Sequence, residues 1–133
     1  MANKNLCAVY GSLRKGLGNH GLIANSNFVG ETISEDKYTM FSLGYFPGIV
    51  EDGETNIVLE VYEVDADTEL RLDRLEGYVE SNPERSFYIK KKINTEFGEA
   101  FIYIYNGRPS AKVVEDGNWT KFITQKNDET CAV

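Results

Sequence analysis

A glutamate near the end of a short amphipathic stretch, and a glycine bend ending an apolar run, are where this chain could do chemistry. The acids of Asp65-Ala66-Asp67-Thr68-Glu69 suit a helix start. Leu72 and Leu75 follow at i, i+3, and Gly77 suits a C-terminal cap, so a helix is predicted over 66–76. Glu76 comes four residues after Leu72 and next to Leu75, which puts it on or at the edge of the apolar stripe. Asp67 and Glu69 serve the first turn, and Asp73 points elsewhere. Burial and the negative end of the helix dipole would both raise the pKa of Glu76. A carboxyl shifted in this way can carry protons near neutral pH. The same position also fits an exposed glutamate, or one paired with Arg74 or Arg85, and position alone leaves these open.

The bend follows Leu6-Cys7-Ala8-Val9-Tyr10, an unbroken apolar run that reads as a strand buried on both faces. Gly11-Ser12 stops it abruptly. Glycine allows a sharp turn or a close approach, and amides beyond a broken strand can bind an oxygen carrying negative charge. Other candidates are weaker. Gly16-Leu17-Gly18-Asn19-His20-Gly21 matches G-x-G-x-x-G, but it arrives five residues after the turn and strands follow it, unlike a dinucleotide site. Gly11 to Gly16 has P-loop glycine spacing, yet Leu17 stands at the lysine position. Asn118-Trp119-Thr120 is a glycosylation sequon without a secretory route. Cys7 reads as core and Cys131 as tail, with neither a disulfide nor a zinc site expected. His20, the single histidine, reads as a loop or short-helix residue.

The elements that must hold these residues follow from hydrophobic patterning. Strands are expected at Phe28–Ile33, Lys37–Leu43 and Asn56–Val64, with a helical turn or two over Gly21-Leu22-Ile23-Ala24. Pro47-Gly48 fits the centre of a type II turn, leaving Tyr45 and Phe46 free to wall a pocket. Ser86–Asn94 and Glu99–Asn106 flank Thr95-Glu96-Phe97-Gly98 as a β-hairpin. Trp119, Phe122 and Ile123 mark a short amphipathic helix. The expected class is α+β: a small, strongly curved mixed β-sheet or β-barrel with short flanking helices. Residues 1–126 read as one domain and 127–133 as a polar tail.

Twenty-one acids against fourteen lysines and arginines, a net charge of −7, argue against nucleic acid. Lys90-Lys91-Lys92 lies within a strand pattern and reads as a solvated face. No apolar run approaches the ~18 residues of a membrane span, and the N-terminus lacks a signal-peptide h-region. A cytoplasmic location is expected.

Together, the motifs resemble the γ-glutamylcyclotransferase-like family, including its γ-glutamylamine cyclotransferase branch. Carrying the resemblance are Val9-Tyr10-Gly11-Ser12-Leu13-Arg14 with Gly16 and Asn19, Phe46-Pro47-Gly48, and Glu60-Val61-Tyr62-Glu63-Val64. Leu72-Asp73-Arg74-Leu75-Glu76-Gly77-Tyr78, Tyr88-Ile89-Lys90 and Gly117-Asn118-Trp119 complete it, over residues 6–122. The Tyr-Gly-Ser-Leu and Leu-Asp-x-Leu-Glu-Gly-Tyr pair is specific; the others are weak alone.

The resemblance implies a cavity for a γ-glutamyl group, held by the backbone of Tyr10 to Leu13, with Glu76 as catalytic acid/base and no cofactor or metal. The substrate-binding set expected from it and from the aromatic turn is Tyr10, Gly11, Ser12, Leu13, Arg14, Tyr45, Phe46, Tyr78 and Tyr88. The implied reaction cyclises a γ-glutamyl amine or amino acid to 5-oxoproline and releases the amine. The implied partner is therefore a small molecule carrying a γ-glutamyl group. Three departures stand out: Leu59 for a usual glycine, Lys90 for an arginine and Asn118 for an aspartate. They leave room for a non-catalytic binder of a metabolite or nucleotide-derived signal in the same pocket.

Overall fold

Strand β1 (Asn5–Val9) occupies the middle of a five-stranded sheet, as its apolar run demands. The computed structural model describes residues 5–11, 13–44, 46–108 and 112–124. β2 (Asn27–Ile33) forms one sheet edge, and β3 (Tyr38–Ser42) and β4 (Pro47–Thr55) make a separate antiparallel pair. β5 (Val58–Val64) lies antiparallel to β1 and β2. Helix α1 (Ala66–Leu75) leads to the hairpin of β6 (Tyr88–Thr95) and β7 (Gly98–Tyr105). β7 runs parallel to β1, so the sheet is mixed, in the order β2-β5-β1-β7-β6. Residues 119–124 are helical.

Side chains alternate across β1 and build a core on each face. Cys7 and Val9 pack with Phe101, Tyr103, Tyr62 and Leu72 on the α1 side. Ala8 and Tyr10 pack with Ile102, Ile104, Leu59, Met40, Ile49 and Trp119 on the other. Trp119 is buried and stacks on Phe122 at 5.4 Å between centroids, as their spacing predicts.

The sheet is curved but open: β2 and β6 are its edges and do not pair, which excludes the closed-barrel alternative. Pro47-Gly48 is not a turn. Pro47 opens β4, pairing with Ser42, a place where a missing N–H is tolerated. The chain reverses just before, where Leu43 N–H donates to the Phe46 carbonyl (2.9 Å) and Gly44 takes φ 110°. The expected helical turn is a 3-10 turn at His20–Leu22. The lysine run is not uniformly solvated: Lys90 is half-buried and pairs with Glu69 and with Asp73, the latter at 3.2 Å. Among the described residues, no helix is long and apolar enough to cross a membrane. The tail 127–133 lies outside the described residues.

Candidate active site

Glu76 is fixed by the way α1 ends. Asp65 caps the start, its carboxylate accepting from Thr68 N–H at 2.8 Å. At the other end, Gly77 N–H donates to the Arg74 carbonyl (3.2 Å) and Tyr78 N–H to that of Asp73 (2.8 Å). This paired pattern closes the helix, and Gly77 supplies the positive φ of 66° that it needs. Glu76 N–H bonds the Leu72 carbonyl (2.9 Å), while its own carbonyl accepts from Tyr88 N–H (3.2 Å). Its backbone is thus tied to both the helix and β6, and its side chain lines a cavity of about 480 Å³.

Leu72 is fully buried, but Leu75 is 42% exposed and lines the cavity instead of the core. Among the described residues, the Glu76 carboxylate has no hydrogen-bond or ion-pair partner. Neither Arg74 nor Arg85 pairs with it. Burial pushes its pKa up to about 7, and the helix-end dipole acts in the same direction.

Across the cavity stands the bend after β1. Gly11 is needed here because a Cβ would sit 2.8 Å from the Pro47 ring. Arg14 N–H donates to the Gly11 carbonyl at 2.9 Å, closing a turn. The His20 ring is placed by a hydrogen bond from Nδ1 to the Leu13 carbonyl (2.9 Å), which steadies the bend from outside. Leu13 lines the cavity, and its N–H makes no hydrogen bond with the described residues.

Of the expected set, Tyr10, Gly11, Leu13, Phe46, Glu76 and Tyr88 line this one cavity. Ser12 and Tyr45 lie outside the described residues. Arg14 and Tyr78 are not in the lining. Tyr78 packs half-buried beside the α1-side core. Arg14 turns away to a buried ion pair, its Nε 2.7 Å from Glu60 Oε2 and its Nη1 3.0 Å from Asn118 Oδ1. Glu60 also accepts from Lys15 N–H (3.0 Å) and the Tyr62 hydroxyl (2.8 Å). Burial alone would raise the Glu60 pKa, but the bonds from Arg14, Lys15 and Tyr62 outweigh it and hold the carboxyl below its usual range. Sequence reasoning missed Phe87 and Tyr103, which also line the cavity. The Tyr103 signal was its place in the alternation of β7; nothing local marks Phe87. Among the described residues, no three histidine, cysteine or acidic side chains converge to hold a metal ion.

Comparison with known proteins now decides the lineage. The profile of the family "Gamma-glutamyl cyclotransferase, AIG2-like" matches residues 7–121. The chain belongs to the γ-glutamylcyclotransferase family. The Escherichia coli K12 γ-glutamylcyclotransferase family protein YtfP is 36% identical over 113 residues, 84% of this chain and 92% of that one. The crystal structure of an uncharacterized protein from Pyrococcus horikoshii is similar with a TM-score of 0.77 at 27% identity, covering 93% of this chain and 97% of the other. The solution structure of the E. coli protein gives a TM-score of 0.66 at 33% identity, over 89% and 98% of the chains.

The departures from the usual γ-glutamylcyclotransferase pattern now have places. Leu59 is fully buried in the core face away from α1. Lys90 joins Glu69 and Asp73 outside the cavity lining. Asn118 Oδ1 accepts from both Arg14 and Lys121 N–H (3.1 Å), capping the last helical segment while holding the guanidinium.

Proposed function

We propose that this chain cyclises a γ-glutamyl amine or γ-glutamyl amino acid to 5-oxoproline, with Glu76 as general acid/base. Family membership supports the cyclotransferase class. The observation that carries the reading is a carboxyl with no partner among the described residues, its pKa raised to about 7, in the same cavity as Leu13 of the bend, whose N–H bonds none of them.

In this reading the bend from Tyr10 to Leu13 holds the glutamyl end, with its amides also facing charge that develops on the γ-carbonyl oxygen. The substrate's α-amine attacks its own γ-carbonyl carbon, a C–N bond closes the five-membered ring, and the bond to the leaving nitrogen breaks. Glu76 accepts the proton lost by the attacking ammonium and returns it to that nitrogen. A carboxyl titrating near pH 7 suits both transfers, and such acid–base help is worth ~10²–10⁴-fold. Folding the substrate against the aromatic wall brings the reacting ends together, where effective molarities can reach ~10⁵ M or more.

The test is Glu76→Gln. The variant should release 5-oxoproline from a γ-glutamyl panel at least ~10²-fold more slowly, while the panel's binders still raise its melting temperature. Wild-type protein that binds panel members tightly but turns over none would establish a binding protein in place of the enzyme.

A further inference from the structure

Tyr103 on β7 is bonded to both halves of the site. Its hydroxyl donates to Asp73 Oδ1 on α1 at 2.6 Å, and its carbonyl accepts from the Tyr10 hydroxyl at 2.7 Å. Asp73 comes three residues before Glu76, and Tyr10 immediately precedes Gly11 of the bend. One buried residue of the cavity lining therefore joins the helix that carries the acid to the strand that carries the bend.

The strand register explains this convergence. Lys90 pairs with Tyr103 across β6 and β7, so both side chains leave the sheet on the same face, toward α1. Lys90 Nζ lies 3.2 Å from the Asp73 oxygen that accepts the tyrosine hydroxyl. The Asp73 carbonyl takes the Tyr78 N–H that closes the helix. Asp73 thus fixes the last turn of α1 by side chain and main chain together, and Glu76 stands at the end of that turn. Glu69, bonded to Asn5 at 2.7 Å and to Lys90, holds the earlier part of the helix. Among the described residues, the side-chain tie nearest Glu76 is the one from Asp73 to Tyr103.

The Tyr103 hydroxyl is given to Asp73, and burial followed by that bond pushes its pKa up, so it carries no proton itself near pH 7. The titratable groups that feel the Glu76 charge are Cys7 and Tyr10 on β1, Tyr88 on β6 and Tyr103 on β7. Burial raises each of them first, and all four stay neutral near pH 7. The proton affinity of Glu76 is therefore set by how well the end of α1 keeps it from water.

We propose that Tyr103 is a positioning residue: acting through Asp73 and Tyr10, it fixes the separation of the Glu76 carboxyl and the bend across the cavity. The proposal rests on the cyclotransferase reading for what that separation serves.

Tyr103→Phe tests it by separating the two links, since it removes the hydroxyl and leaves the carbonyl that holds Tyr10. The bend should still take substrate while the end of α1 shifts. The kcat for 5-oxoproline release, per folded protein, should fall ~10–10²-fold, since a misplacement of about 1 Å can cost the larger figure. KM should change less than about twofold, the mark of an effect confined to the transition state. Asp73→Ala should match that loss, and the double variant should be no slower than either single one, as two residues acting through one bond require. Asp73→Asn keeps an acceptor for the hydroxyl and should stay within about threefold of the wild-type rate. A second readout needs no turnover. The Glu76 carboxyl carbon, followed by NMR across pH, should titrate lower in Tyr103→Phe as water reaches the loosened turn. Wild-type kcat in folded Tyr103→Phe overturns the positioning role and leaves the cyclotransferase reading standing. So does an additive loss in the double variant, or a loss in Asp73→Asn equal to that in Asp73→Ala. If the wild type binds the panel without turning it over, the cyclotransferase reading falls and the titration decides alone. A lowered Glu76 value then supports the positioning role, and an unchanged one overturns it.

Discussion

Glu60 and Glu76 are both withdrawn from water, and their proton affinities move in opposite directions. Glu60 sits among donors: a guanidinium, a backbone amide and a phenol. Among the described residues Glu76 has none of these, only burial. The difference arises from where each stands in the fold. Glu60 lies on β5 opposite Val9, the last residue of β1, so the register carries it to the start of the bend and to Arg14. Glu76 stands where a helix has just ended and lines a cavity, without a partner among the described residues. A buried carboxylate with its lone pairs satisfied holds structure; one left without partners is poised to exchange a proton.

Removing the paired acid should do the larger damage to stability. Glu60→Ala leaves the Arg14 guanidinium, whose side chain is 6% exposed, without its main counter-charge. A loss of roughly 3–5 kcal/mol is expected in urea unfolding, the usual cost of breaking a buried pair. A loss below about 1 kcal/mol would mean that Asn118 and Glu31 suffice to hold the arginine. Activity should fall along with stability, because Glu60 also fixes Lys15 N–H just past the bend.

The unpaired acid should govern the rate profile. The proposed reaction needs Glu76 as carboxylate before attack, and its pKa is about 7. kcat/KM should therefore rise about tenfold per pH unit below that value and level off above it. A profile flat from pH 5 to 8 would place the proton carrier elsewhere.

Much of this contrast was legible along the chain on one side only. Glu76 could be read locally, since acids at 65–69, Leu72 and Gly77 define a helix and its end within a dozen residues. Leu75 was misplaced because a helix's last turn can overhang a cavity, which spacing alone does not show. Arg14 was expected beside substrate from the resemblance, and the pairing that takes it to Glu60 instead spans 46 residues, out of reach of local pattern. Likewise Tyr103 reaches the cavity only because β7 runs parallel to β1. β4 escaped notice because Pro47-Gly48 suggests a turn and Glu51-Asp52-Gly53-Glu54 hides the alternation behind it. The open sheet was likewise beyond local patterning, since closure depends on whether the edge strands β2 and β6 meet.

The smallest effect is the one that separates the two acids by sign. The folded state holds the Glu76 proton up to about pH 7, whereas the unfolded chain releases it near the ordinary glutamate value of 4.5. Between those values the native protein binds more protons than the unfolded one, so its stability falls as pH rises and stays lower above pH 7. Glu60 does the opposite: its folded pKa is depressed, so its contribution is present above 4.5 and is lost as pH drops through the folded value. Glu76→Gln keeps the shape and removes the charge, at the cost of an amide that also lacks partners. It should therefore be more stable than wild type at pH 8, by roughly 1–2 kcal/mol once partial exposure to the cavity is allowed for, with the gain vanishing near pH 4.5. Urea midpoints across that range would measure it. A variant less stable than wild type at pH 8 would mean that the carboxylate is stabilised by its surroundings, and the contrast with Glu60 would collapse.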